Sequence, residues 1–351
     1  MQEDEIIFHE DNDWGTVLLN RPGALNALNL NMVRRLSKQL VQWERLSSLK
    51  GVIIEGKGRA FCAGGDIRSL LEAVKRRNHS LIEGFFREEY LLNRQIHLYP
   101  KFYVALLDGI VMGGGAGLSI HGVYRVVTEK TLFAMPETGI GFFPDVGASY
   151  FLNRLPGETG MFLALTGSRI GGEDMVYLGL ATHYTFSEQV GKLKEALLNC
   201  ELHEATCSEV EPIISTFSKT PPPAELSRYQ DIIDRCFGKE SVEEIVDALD
   251  AEKEKWATDV RNEILKKSPT SLKITFRLLQ EARNLDFDSA LRLEYRLSQR
   301  IVYGNDYSEG VSAIVIDKNR RPRWSPASLE KVSEKLVDSF FDPLPNGELE
   351  F

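Results

Sequence analysis

Two glycine-rich stretches constrain this chain more than any other feature, because each follows a short apolar run and each exposes bare backbone at its end. The first is Ala60-Phe61-Cys62-Ala63-Gly64-Gly65-Asp66. The second is Gly113-Gly114-Gly115-Ala116-Gly117, preceded by the apolar run Tyr103-Val104-Ala105-Leu106-Leu107. A run apolar at every position is the pattern of a parallel strand covered on both faces. Glycine permits positive φ and close approach of backbone to a neighbour or ligand. A glycine triplet alone reads as a tight strand-to-helix turn. Paired with the earlier segment, it reads as two backbone N–H groups converging on a developing negative oxygen. Nucleotide motifs do not fit. No lysine follows Gly117 as a Walker loop requires, and Leu118 stands where the dinucleotide fingerprint needs its third glycine.

The first half alternates strands and helices. Glu5–Glu10 and Trp14–Asn20 predict a hairpin, and Asn29 or Asn31 predicts the cap of a helix to about Leu46, with Met32, Leu36, Leu40 and Trp43 on one stripe. Gly51–Gly56 and Tyr103–Gly109 predict strands, Asp66 opens a helix, and a longer helix covers Leu81–His97. Tyr124–Thr128 and Thr131–Ala134 predict further strands. Ser208–Pro223, polar and ending in three prolines, reads as a linker or cover loop. Helical patterns then dominate over Val242–Glu252, Lys255–Lys266, Ser271–Ala282 and Phe287–Val302. The class is therefore α/β, with a core over residues 1–205 and a mainly helical region over 206–351. Periodicity alone equally allows a doubly wound sheet.

Of the 351 residues, acids outnumber bases to give a formal charge of −9, which argues against nucleic acid as a partner. No apolar run approaches the roughly 18–20 residues of a membrane span. The four cysteines lack zinc-type spacing and read as free thiols of a reducing compartment. Cys62 reads as a small packing residue, since no histidine stands in a local nucleophile signature. His121 reads as capping or packing at the end of the helix opened by the glycine run. The other histidines form no ligand pair, so no metal is expected.

Met135-Pro136-Glu137-Thr138-Gly139-Ile140-Gly141-Phe142-Phe143-Pro144-Asp145-Val146-Gly147 sets two acids in an apolar run. Such surroundings raise a carboxyl's pKa toward the range useful for acid or base work. The alternative is that both acids merely cap helices.

Together the two glycine segments and the Met135–Gly147 run resemble the crotonase (enoyl-CoA hydratase/isomerase) superfamily, and this implies a crotonase-like ββα-spiral with a helical C-terminal part. The resemblance is strongest to its 3-hydroxyisobutyryl-CoA hydrolase branch. Phe85-Phe86-Arg87-Glu88-Glu89-Tyr90, Ser268-Pro269-Thr270-Ser271-Leu272-Lys273, Glu294-Tyr295-Arg296-Leu297-Ser298-Gln299, Glu309-Gly310-Val311 and Asn20-Arg21-Pro22 with Asn26-Ala27-Leu28 carry it nearly end to end. It implies hydrolysis of a short branched 3-hydroxyacyl-CoA, Glu137 and Asp145 as the catalytic pair, and the Gly65 and Gly114 amides as the oxyanion hole. Glu89, with Gly114, Glu137 and Asp145, would face the substrate. The backbone at Asn26, Ala27, Leu28 and Ala63 would line the CoA path, with Arg21, Lys57, Arg59 and Arg68 as nearby cations. The C-terminal blocks receive no catalytic role. Gly117 occupies the place of a glutamate that hydratases use, which speaks against a hydratase or isomerase reading. A non-catalytic CoA- or RNA-binding relative is the third reading, opposed by the charge and the intact acids. No cofactor is implied beyond the CoA of the substrate. Relatives assemble through C-terminal helices, implying a homo-oligomer, although that region could instead fold back on its own core. Neither a basic leader, a secretory segment nor a peroxisomal C-terminus is legible. The resemblance implies the mitochondrial matrix, with cytoplasm or peroxisome as alternatives.

Overall fold

The computed structural model describes residues 4–202, 207–319, 321–345 and 347–351. The chain forms two compact units, each interleaved in sequence. One comprises Met1–Gly65, Leu91–Phe133 and Arg169–Ser227, and the other Asp66–Tyr90, Ala134–Ser168 and Arg228–Phe351. The expected boundary between 205 and 206 falls outside the described residues.

The first unit holds both sheets. β1 (Ile6–Asp11) and β2 (Trp14–Leu19) form the expected antiparallel hairpin, paired from Ile6↔Leu19 to Asp11↔Trp14. β3 (Gly51–Gly56), β5 (Phe102–Leu107), β7 (Tyr124–Val127) and β10 (His183–Tyr184) then add in parallel, giving the order β1-β2-β3-β5-β7-β10. β4 (Ala60–Cys62), β6 (Ile110–Met112), β8 (Leu132–Ala134) and β9 (Ile170–Gly171) make the second sheet, in that order. From β3 to β8 successive strands thus alternate between sheets, while the larger sheet grows in one direction. A doubly wound sheet would reverse its strand order at a switch point, and this one does not.

Local chemistry accounts for the elements. All six residues of β5 are buried, as a strand covered on both faces requires. Asn29 caps the helix Leu30–Arg45, its side-chain oxygen accepting from the Met32 N–H at 2.9 Å, and the buried stripe is Met32, Val33, Leu36, Leu40 and Trp43. The expected linker at 208–223 is corrected in its first part. Cys207–Phe217 is a helix that contains Pro212. Its Val210 and Ile214, one turn apart, join Trp14, Val104, Leu106, Leu193 and Leu197 in the core. The polar composition belongs to its outer face; the stretch from 218 through the prolines carries no helix or strand.

Helices dominate the second unit. The eight residues of the helix Thr159–Thr166 are all buried. Ser268 caps Pro269–Ala282, accepting from the Ser271 N–H at 3.0 Å, and Asp286 caps Phe287–Ile301, accepting from the Ser289 N–H at 2.7 Å. From 207 onward no strand occurs among the described residues.

Candidate active site

Parallel pairing of β4 with β6 brings both glycine segments out at the same end of one sheet. Gly64, at φ +111°, adopts a backbone conformation that L side chains rarely reach, and a Cβ placed there would stand 3.7 Å from the Gly114 nitrogen. Leu28 lies alongside, its N–H donating to the Gly64 carbonyl at 2.9 Å, and the Ala63 N–H donates to Leu25 at 3.0 Å. Gly65 immediately precedes Asp66, the cap of the helix Ile67–Lys75, whose carboxylate accepts from the Ser69 N–H at 3.2 Å. Gly114 is the first residue of the helix Gly114–Gly117. Amides at such positions have no intrahelical acceptor. Among the described residues, neither the Gly65 nor the Gly114 N–H donates to a turn or loop carbonyl. Two such amides, on turns at the same end of one sheet, are what an oxyanion site needs.

The acids gather in the second unit. Glu89 is 3% exposed, Glu137 and Asp145 6% each, and Glu294 0%. The Tyr90 hydroxyl donates to Asp145 Oδ2 at 2.7 Å. Glu89 Oε1 and Glu137 Oε2 are buried and have no hydrogen-bond partner. An aromatic cluster adjoins Tyr90, whose ring lies 6.0 Å from that of Phe86. Phe142 stacks on Phe86 at 5.6 Å and on Phe143 at 4.5 Å, with Tyr307 at 5.9 Å. Loss of water is therefore the strongest influence on every carboxyl. Burial pushes Asp145 up to about 7, against the opposing hydrogen bond from Tyr90. Burial and then the charge of Asp145 hold Glu89 and Glu137 well above the ordinary carboxylate range. Burial raises Glu294 to about 8. Like-charged groups without a cation cannot all ionise in an apolar site, so the cluster retains protons near neutrality. That is the condition for a general acid or base.

Neither acid is a helix cap. Glu137 opens the short turn Glu137–Ile140 with its Oε2 unpartnered. Asp145 precedes the helix Ala148–Phe151, whose N-cap is Gly147. The amides there go to a residue the sequence left without a role. Glu294 accepts from the Gly147 N–H at 2.7 Å, the Ser149 N–H at 2.9 Å and the Ser149 hydroxyl at 2.6 Å. Tyr90, Ser149 and Glu294 were thus missed as supports of the site. The two outer ones lie within motifs that carried the resemblance, but spacing alone gives no link between positions so far apart.

The weaker expectations divide. Asn26 is fully buried, and its side chain donates to the carbonyls of Ala60 at 2.8 Å and Lys57 at 3.1 Å while accepting from the Arg21 N–H at 2.8 Å. That side chain braces the loop beside the glycine segment. Ala27, Leu28 and Ala63 lie along the same loop. Lys57, Arg59 and Arg68 are exposed, and Arg68 donates to the Val315 carbonyl at 3.3 Å. Cys62 is buried, its Sγ 3.7 Å from the Gly64 carbonyl and its backbone packed close against Gly115 of the second glycine segment. The placing of His121 is corrected. The helix ends at Gly117, so His121 lies beyond its last turn, with its ring 6.0 Å from that of His97. Among the described residues, no group of three or more His, Cys, Asp or Glu side chains could hold a metal ion.

This arrangement matches known proteins over nearly its whole length. The 3-hydroxyisobutyryl-CoA hydrolase, mitochondrial, of Danio rerio is 47% identical over 98% of this chain and 91% of its own. The protein of that name from Homo sapiens is 44% identical over 99% of this chain and 91% of its own. Among solved structures, a carnitinyl-CoA dehydratase from Mycobacterium thermoresistibile superposes with a TM-score of 0.93 at 35% identity, covering 99% of each chain. An enoyl-CoA hydratase from Rhodobacter sphaeroides 2.4.1 gives 0.91 at 34% identity, covering 99% of this chain and 100% of its own. The family model described as enoyl-CoA hydratase/isomerase matches residues 14–341. By fold, sequence and motif order, the chain belongs to the enoyl-CoA hydratase/isomerase family.

Proposed function

We propose that this protein hydrolyses the thioester of short branched 3-hydroxyacyl-CoA, foremost 3-hydroxyisobutyryl-CoA, to the 3-hydroxy acid and CoA, a step of valine breakdown. The observation that carries this reading is the cluster of buried carboxyls Glu89, Glu137 and Asp145, two of them with an unpartnered oxygen, in a chain up to 47% identical to hydrolases of that name. The carbonyl oxygen is received by the Gly65 and Gly114 amides, where loss of one donor typically costs about 3–4 kcal/mol. Ionised Glu137 acts in one of two ways. It bonds to the carbonyl carbon as the C–S bond breaks and CoA leaves as thiolate, and water then opens the anhydride. Otherwise it takes a proton from the water that attacks. Asp145, held by Tyr90, binds the substrate's 3-hydroxyl and keeps the reacting group aligned. Thiolate leaves readily, so the route needs no cofactor besides the CoA of the substrate.

The hydratase reading is favoured by the names of the two solved structures. Against it, Gly117 offers no carboxylate where hydratases of the superfamily carry one. The deciding experiment measures thiol release from 3-hydroxyisobutyryl-, 3-hydroxypropionyl-, isobutyryl- and acetyl-CoA, with enoyl-CoA hydration followed in parallel. Release confined to the 3-hydroxy substrates, without hydration, supports the proposal. Hydration without release overturns it. The mitochondrial relatives support a matrix location, and self-association through the C-terminal helices belongs to the same reading.

The raised carboxyls set the pH dependence. The working form of Glu137 is the ionised one and its pKa is raised, so activity is lost as pH falls through the raised value and not near 4. The kcat/KM profile is expected to climb at a pH well above the ordinary carboxylate range, with Asp145 itself raised to about 7. A profile flat down to pH 5 would show that burial is not controlling these groups.

A further inference from the structure

Asp145 is followed by an unusual stretch of backbone. Val146, a β-branched residue, sits at φ +57° and Gly147 at φ +84°. A β-branched side chain in the left-handed region is rare, and it persists only where the surroundings enforce it. Local sequence supplies little enforcement. The Ala148 N–H donates to the Asp145 carbonyl at 3.0 Å, but Gly147, the N-cap of the helix Ala148–Phe151, has no side chain to cap with. The capping group comes instead from 147 residues further on. Both carboxylate oxygens of Glu294 are engaged, one with the Gly147 N–H and the other with the N–H and hydroxyl of Ser149. Glu294 has no cationic partner among these contacts and is fully buried. The same helix, Phe287–Ile301, carries Tyr295, whose ring meets that of Tyr90 edge-on at 6.4 Å. Tyr90 in turn donates to Asp145. One helix therefore reaches Asp145 by two routes, through the backbone turn that follows it and through the phenol of Tyr90.

We infer that Glu294 is a positioning residue for Asp145: by capping Gly147 and Ser149 it locks the left-handed turn that aims the Asp145 carboxyl. Burial of a carboxyl among three donors and no cation is a poor way to gain stability alone, since an apolar residue with a local cap would serve. It is a good way to hold a neighbouring group in one orientation. The inference rests on the reading of Asp145 as an active-site group, and the test separates the two.

The test is a double-variant cycle on the full chain, with kcat and KM measured for thiol release from 3-hydroxyisobutyryl-CoA and thermal melting run alongside. Gln at 294 keeps one acceptor for Ser149 but turns an amide NH2 toward the Gly147 N–H, donor against donor. Glu294→Gln is expected to lower kcat about 100-fold, the scale of a misplacement near 1 Å, with KM nearly unchanged. If Glu294 acts through Asp145, Asp145→Asn already forfeits the benefit, so the double variant is no slower than Asp145→Asn alone. Losses that multiply would mean independent roles and overturn the inference. So would wild-type kcat in Glu294→Gln. Normal turnover in Asp145→Asn alone would sink the reading of Asp145, and a slow Glu294→Gln beside it would then overturn the positioning role as well. Should Glu294→Gln fail to fold, Ser149→Ala takes its place in the cycle. It removes one hydroxyl contact and leaves the carboxylate and both amide bonds intact. A several-fold loss that vanishes in the Asp145→Asn background supports the inference, and a loss that persists there overturns it.

Discussion

Glu137→Gln is expected to lower kcat for thiol release by about a thousandfold, the middle of the range for loss of an acid–base group, without harming the fold. The amide can neither bond to the thioester carbon as a carboxylate does nor take a proton from water. Stability should move the other way. Burial raises Glu137 well above its unfolded value near 4.5. The folded state therefore holds the proton more tightly than the unfolded chain. The stability linked to that proton is complete below about pH 4 and is lost as pH rises through the folded-state value. Gln titrates nowhere in this window. Glu137→Gln should melt higher than the wild type, by a margin that widens between pH 5.5 and pH 8. Calorimetry at the two pH values reads the margin, and a variant that melts lower at both would make Glu137 a structural residue. Label in Glu137 after one turnover in heavy-oxygen water would mark the covalent route.

Gly115→Ala is expected to be among the most damaging small changes in the first unit. A Cβ at Gly115 would stand 2.3 Å from the Cys62 carbonyl oxygen and 3.0 Å from its carbon. Backbone cannot rotate aside as a side chain can, so the helix Gly114–Gly117 must move away from β4. Overpacking of this kind costs about 3 kcal/mol at its upper range. The helix start at Gly114 and the turn at Gly64–Gly65 separate with it, so the folded fraction should lose about 100-fold or more in kcat, as on deletion of an oxyanion donor. Gly191→Ala is the control. Gly191 lies exposed within the helix Ser187–Leu198 with nothing near its absent Cβ. Alanine there should stabilise by about 0.5–1 kcal/mol. Melting curves of the two variants should shift in opposite directions; a shared direction would contradict the packing seen around Gly115.

What could be read from the chain is what local chemistry decides. The cap at Asn29 with its stripe through Trp43, the fully apolar β5 and the glycine turns each depend on neighbours within a few positions. The helix Cys207–Phe217 was obscured because its apolar positions, Val210 and Ile214, are two among polar residues and Pro212. Only packing against the sheet gives them weight. The acids at 137 and 145 were legible as a pair through their motif, but whether they cap helices or face an apolar site was open from spacing. The three-dimensional structure decides it, by delivering Tyr90 to Asp145 and Glu294 to the amides behind it. Propensity, patterning and turn chemistry act over a turn or two of chain. The raised carboxyls and the turn at Val146 arise from burial and from hydrogen bonds spanning 55 and 147 positions. Those long-range contacts exist only once the chain has folded, and the candidate chemistry depends on them.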